Sequence, residues 1–176
     1  MRIRICVALA LTAIQLVAAT SAVACSCMGP PPVAEALAKV DIVLTCRVLR
    51  AAVPPPHPLS DSDTTRVISS GDMVRYVLQP LAVWKGAVSD TIVVYSARSS
   101  ISCGYEMVPG NEYLLFIRAH REFARRGERD LGIVWAGGKP NGAIWEVGLC
   151  DRNKPVEKAA DDLAELGRAL WLREER

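Results

Sequence analysis

Two cysteines one residue apart, placed where an export signal ends, constrain this chain more than any other feature. Met1-Arg2-Ile3-Arg4 is a basic start, and the run that follows to Ala19 is apolar apart from Thr12 and Gln15. Ala22-Val23-Ala24 then puts small residues at the two positions a signal peptidase reads. Residues 1–24 read as a secretory signal peptide, so the mature chain starts at Cys25 and is secreted or extracytoplasmic, in a periplasm or outside the cell. The apolar run is shorter than the ~20 residues a membrane-spanning helix needs. No later segment is long and apolar enough to span, so no transmembrane segment is expected.

Export permits disulfides, and cysteine arithmetic then limits how they pair. Of 6 cysteines, Cys6 leaves with the signal, and Cys25, Cys27, Cys46, Cys103 and Cys150 remain. Five is odd, so at least one stays free or pairs with another chain. Cys46 is the natural odd one, inside the strand-like run of residues 41–49, where a small buried thiol needs no function. Cys25 and Cys27 are too close to bond to each other, so their partners are Cys103 and Cys150. Two such bridges would tie a chain terminus, normally loose, onto the body. Simple stabilisation of a secreted domain explains that much. A metal-binding Cys-x-Cys is the weaker reading, since no histidine or second cysteine pair lies nearby in sequence. Ala22-Val23-Ala24-Cys25 also resembles a bacterial lipoprotein cleavage box, with Ala22 where a large aliphatic residue is usual. A lipid anchor on Cys25 is therefore the rival fate of the terminus.

At 176 residues the chain suits one domain with a real core. Without Arg2 and Arg4 its 21 basic residues fall to 19, against 19 acidic ones. A near-neutral exported chain argues against nucleic acid or an anionic membrane surface as partner. Residues 33–39 read as a short helix and 42–51 as a first strand. Residues 53–72, with three consecutive prolines, read as a long loop with a hairpin tip. Alternation marks a second strand over 74–84, with a bulge or bend at Pro80. Further strands are expected over 91–95 and 112–119, and short segments at 133–135 and 143–149 flank a Gly-rich turn. Val156, Ala160, Leu163, Leu166 and Leu170 recur at helical spacing after Pro155, which predicts one amphipathic helix. The expected fold is mainly β: an OB-like, five- to six-stranded closed barrel with a short N-terminal helix and a C-terminal amphipathic helix packed on it. A sandwich is the alternative. The domain would cover residues 25–152, with the helix in 153–176.

Several stretches, in order, carry a resemblance. They are Cys25-Ser26-Cys27, Val40-Asp41-Ile42-Val43, Val83-Trp84-Lys85-Gly86, the run from Tyr95 to Gly104 around Cys103, Glu112-Tyr113-Leu114-Leu115 and Leu149-Cys150-Asp151. Together they resemble the tissue inhibitors of metalloproteinases and the wider netrin-like modules, over residues 25–151. The resemblance implies an OB barrel and the bridges Cys25–Cys103 and Cys27–Cys150. The pattern departs in four places. Ala36, Leu37 and Ala38 stand where a further family cysteine would be, Gly29 stands where the family usually has proline, the second cysteine-rich subdomain is replaced by the Pro155 segment, and Cys46 is extra.

The resemblance also implies a mechanism without catalytic residues or a cofactor. The free α-amine and carbonyl of Cys25 would chelate the zinc of a metalloprotease, displacing the water at the metal's open position. An α-amine titrates near pH 7.7–8.0, so its neutral form is accessible. Ser26 would enter the specificity pocket, Cys27 and Met28 would continue along the cleft, and Ser99, Ser100, Ile101 and Ser102 would form a second ridge. The alternative is a netrin-like protein-interaction module without inhibitory chemistry, lipid-anchored at Cys25. An enzyme is not expected. His57 and His120 read as lone solvated loop residues, Glu106 and Glu112 lack an evident carboxylate partner, and the four tryptophans read as packing residues.

Overall fold

The computed structural model describes residues 25–27, 29–58, 64–120, 134–138 and 144–173. Residues 1–24, expected as a signal peptide, and Met28 and Ile133 lie outside the described residues.

Strand formation follows the β-branched and aromatic runs. β1 (Ile42–Ala52) and the 13-residue β4 (Met73–Lys85) pair antiparallel along most of their length. Between them in sequence, β2 (His57–Pro58) and β3 (Arg66–Val67) form the base of a small hairpin within the long loop, whose residues 59–63 are not described. Along β4, Val74, Tyr76 and Leu78 turn inward and are 4, 3 and 0% exposed, whereas Arg75 and Gln79 on the opposite face are partly exposed. That is the period-two pattern of a half-covered strand. Pro80 cannot donate to the ladder. There the register moves from Thr45↔Ala82 to Cys46↔Pro80 and leaves Leu81 unmatched, a bulge.

β5 (Ile92–Ala97) pairs with β4, β6 (Glu112–His120) with β1, and β7 (Ile144–Glu146) lies between β5 and β6. The ring β1-β4-β5-β7-β6-β1 is closed, and only the β5–β7 step is parallel. This is a closed five-stranded mixed barrel, consistent with an OB-like architecture. Closure pairs both edges of the barrel strands among the described residues. Leu44, Leu78, Val94, Leu115, Ile117 and Val147 fill the interior, all fully buried. A second cluster lies outside the wall: α1 (Val33–Lys39) lays Val33 and Ala36 over Val43, Leu114 and Phe116.

The C-terminal segment departs from the single helix expected of its spacing. β8 (Lys154–Pro155) pairs with β6, and Pro155 precedes a 3₁₀ turn (Val156–Lys158) rather than an α-helix. α2 spans only Ala160–Leu166, packing Leu163 and Leu166 beside α1, and stops at Gly167 with φ +68°. The chain then extends into β9 (Trp171–Leu172), which pairs with β4. The Leu170 and Arg173 amides donate to the Val83 and Leu81 carbonyls at 2.7 Å each. Apolar spacing continues past the helix because the next apolar residues follow a strand edge. Leu170 is left 75% exposed.

The segments on either side of the Gly-rich run pair elsewhere, and residues 139–143 of that run lie outside the described residues. Trp135 bridges Met73, and Ile144–Glu146 closes the barrel. Among the described residues no helix is long and apolar enough to cross a membrane.

Candidate functional site

At one end of the barrel the N-terminal lead meets two turns. Disulfides join Cys25 to Cys103, with Cα atoms 5.3 Å apart, and Cys27 to Cys150, 5.2 Å apart. The chain from Gly29 through Pro32 approaches extended, since consecutive prolines fix φ. It is anchored where Arg152 donates to the Pro31 carbonyl and where Ala36 N–H donates to the Pro32 carbonyl at 2.9 Å. Cys25 is half-buried, while Ser26 and Cys27 are exposed. Two disulfides are characteristic of an oxidising, extracytoplasmic environment.

The second ridge is a tight 3₁₀ turn, Ser100–Ser102. Ser99 Oγ caps it by accepting from Ile101 N–H, and the Cys103 and Gly104 amides donate to the Ser100 and Ser99 carbonyls at 3.1 and 3.0 Å. Cys103 adopts φ +61°, a left-handed conformation a non-glycine residue rarely takes. Its disulfide and the Leu149 N–H bonded to its carbonyl at 2.7 Å hold it there. Ile101 stands 68% exposed at the crest. The Cys25–Cys103 bond ties Cys25 to the residue that ends the Ser99–Ser102 turn; Met28 lies outside the described residues.

The brace behind this ridge was not legible in the sequence. Ser70 and Ser102 hydroxyls meet at 2.7 Å, and Ser99 and Arg98 N–H groups donate to the Ser70 and Asp72 carbonyls. The Asp72 carboxylate is fully buried. It accepts from the Ser69 and Val134 amides at 3.1 and 3.3 Å and faces Arg98 at 3.8 Å. Arg98 also donates to the Pro54 carbonyl, while its Nε–H is buried without an acceptor among the described residues. His57 is not a solvated loop residue. It is 8% exposed, with Nε2 3.6 Å from Asp72 Oδ1 and Nδ1 3.4 Å from the Pro55 carbonyl oxygen. The extended proline run carries it back over Asp72, 15 positions away in sequence, so no local pattern announces the contact. His120 ends strand β6 rather than lying in a loop. The one available signal was Ser69-Ser70-Gly71-Asp72, a turn-forming run whose aspartate bonds back to Ser69 N–H.

The third wall is the turn after Val147. Asp151 accepts from Gly148 N–H at 3.0 Å and pairs with Arg118 at 2.6 Å, while Asn153 donates to the Gly148 carbonyl. Burial pushes the Asp151 carboxyl above its ordinary value, only partly offset by Arg118 and the Gly148 amide. Next to it, Arg152 grips Asp162 with two bonds, 2.8 and 3.0 Å, and Lys154 adds a third contact at 2.9 Å. Burial pushes Asp162 up, but the bonds from Arg152 and Lys154 outweigh it and hold the carboxyl below its usual value. Cys46 stays apart: it is a free thiol, fully buried within β1. Burial holds it far above its ordinary pKa, so it is no nucleophile at neutral pH. Glu112 pairs with Arg47 at 2.7 Å. Trp135 packs edge-on against Tyr95, and Trp84 donates to the Gly167 carbonyl. No protein-family model matches the chain, and no curated protein matches it either.

The arrangement is a rigid, exposed wedge. One main-chain segment is clamped by sulfur at both of its cysteines and flanked by a capped hydroxyl-bearing turn. The side chains it exposes include those of Ser26, Ser100 and Ile101.

Proposed function

We propose that the mature chain is an exported inhibitor of a zinc metalloprotease, with the α-amine and carbonyl of Cys25 as the zinc ligands. The observation that carries this reading is the double clamp on the Cys25-Ser26-Cys27 segment, which leaves Ser26 exposed and ties Cys25 to the end of the Ser99, Ser100, Ile101 and Ser102 ridge. A main-chain chelate held rigid before binding loses little conformational entropy on association. Ser26 would fill the primary pocket with a small hydroxyl, which favours proteases with a shallow or polar subsite. No step asks for a catalytic residue or a cofactor in this chain. The disulfide on Cys25 also favours an unacylated terminus, because a thiol carrying lipid cannot bond to Cys103.

The test compares the chain beginning at Cys25 with a copy carrying one alanine before it, against a panel of zinc metalloproteases. Inhibition by the first is expected, with a loss of at least about 100-fold, roughly 2.8 kcal/mol, in the second. Equal inhibition by both would remove the chelation mechanism. No inhibition by the free-amine form would overturn the reading and favour the non-inhibitory netrin-like interaction module.

A further inference from the structure

Two arginines without acidic partners share the outer face of the barrel wall. The strand register places them there. Across β1, β4 and β5, Ala52 pairs with Arg75 and Arg75 with Tyr95, while Arg50 pairs with Val77 and Val77 with Val93. Residues paired across strands project to the same side. Val74, Tyr76 and Leu78, which alternate with Arg75 and Val77, fill the interior. Arg50 and Arg75 therefore point outward together. Where the register slips between Val48 and Arg50, Leu49 is left unmatched and joins them at the surface, 41% exposed.

Two clefts open on this face. One, of about 440 Å³, is lined by Arg75 with Val93, Tyr95 and, toward the β4–β5 turn, Val88, Ser89 and Thr91. The other, of about 370 Å³, is lined by Arg75 and Arg50 with Leu49, Val77 and Pro109. Arg75 is the wall common to both. Its stem runs beside Gly137, where a Cβ would sit 3.6 Å from the Arg75 Cδ. Neither guanidinium has a partner among the described residues, and no carboxylate lines either cleft. Elsewhere Arg47, Arg118, Arg152 and Arg173 are each paired with an acid.

The geometry points to a docking surface for an extended acidic peptide of a partner protein, with one of its carboxylates on Arg75. An occupant of both clefts is elongated, because Arg75 is the one residue lining both. A guanidinium offers a planar fork that takes a carboxylate with two parallel bonds. The spacing of charge favours a peptide over a polyanion. Each cleft sets its arginine among apolar side chains, and the side chains of an extended peptide alternate. Acidic ones reach Arg75 and Arg50 while others lie on Leu49, Val77 and Val93. A nucleic acid, charged at every residue, would leave most of its phosphates unmatched over Val77, Val93 and Pro109. This inference is independent of protease inhibition.

The test measures binding of a dye-labelled peptide of alternating glutamate and threonine, and of its glutamine counterpart, by fluorescence anisotropy at low ionic strength. Amide shifts of the isotopically labelled chain are recorded in parallel. The glutamate peptide is expected to bind at least about tenfold more tightly than the glutamine one, to weaken with added salt, and to move the amides of Ala52, Val77 and Val93. Arg75→Gln is expected to abolish the preference, Arg75→Lys to restore part of it, and Arg50→Gln to weaken it. Arg168→Gln removes an equal charge from an exposed position just past α2 and is expected to leave the preference unchanged. No binding of the glutamate peptide, equal binding of the two peptides, an equal loss in Arg168→Gln, or shifts that spare both clefts would overturn the proposal. Displacement of the peptide by an equal concentration of glutarate would reduce the surface to a small-anion site and overturn it as well, as would tighter binding of inorganic polyphosphate than of the peptide.

Discussion

Gly104 shows how a single residue governs the site. A Cβ there would lie 1.9 Å from the Ala97 carbonyl oxygen and 2.6 Å from its carbon, both backbone atoms that cannot swing aside. Gly104→Ala is expected to destabilise the protein by about 1–3 kcal/mol, toward the upper end because main chain must move. The displacement falls on the turn carrying Cys103, so the measurement is denaturant unfolding with and without reductant. A cost that disappears on reduction would locate the strain in the disulfide-tied turn. A substitution without cost in either state would contradict the packing. Cys103 beside it is held left-handed by partners distant in sequence. Asp72 is buried for a similar reason: its carboxylate collects the Ser69 and Val134 amides, the Arg98 guanidinium and the His57 ring.

Among the elements, α2 works chiefly as the carrier of Asp162. That carboxylate orients Arg152, which in turn holds the lead strand at Pro31. Its carboxyl is held below the usual carboxylate value in the folded chain. The folded state therefore binds this proton more weakly than the unfolded one. The stability it contributes is complete above the unfolded value of about 3.9 and is lost as pH falls through the lower folded value. Asp151 acts in the opposite sense: with its carboxyl raised by burial, its share of stability is present below the unfolded value and declines as pH rises through the folded one. Asp162→Asn is expected to cost about 3–5 kcal/mol near neutral pH, because it strands a largely buried Arg152. Its penalty should shrink in acid, read from urea midpoints at pH 7 and pH 3. A penalty independent of pH would refute the assignment. Helical spacing over residues 156–170 overstated α2 because spacing counts apolar residues without regard to what they pack on. Gly167, the bulge beside Pro80 and the available edge of β4 together turn the last apolar residues into β9.

For the whole molecule, the disulfides close spans of 78 and 123 residues. They restrict the unfolded chain far more than they reinforce the barrel, whose interior is packed without them. Replacing Cys27 and Cys150 together with alanine is expected to cost about 2–5 kcal/mol while leaving the barrel folded, read as a lower melting temperature with an unchanged far-ultraviolet spectrum. Loss of the β signature at room temperature would mean that the terminus takes part in the core. The predominance of β structure, the short first helix, the strands from residue 42 to 119 and the bulge at Pro80 were legible because each is written in local alternation or in the chemistry of one residue. His57 was misread as solvated for lack of any local cue.

By itself, the sequence determined that a chain with a Cys25-Ser26-Cys27 pair ahead of alternating strand-like runs would form a small β domain. Backbone propensity and hydrophobic period act over a few residues, and those are visible in a string. Only the tertiary structure decided that β7 would run parallel to β5 and complete the ring, that the final helix would end at Gly167, and that Asp72 would gather His57, Arg98 and the ridge. It also decided that the two disulfides would lie against each other, with Cys25 and Cys150 Sγ atoms 3.9 Å apart. Each of these depends on groups dozens of residues apart competing for the same buried volume or the same hydrogen-bond partner, a competition resolved only when the chain closes on itself.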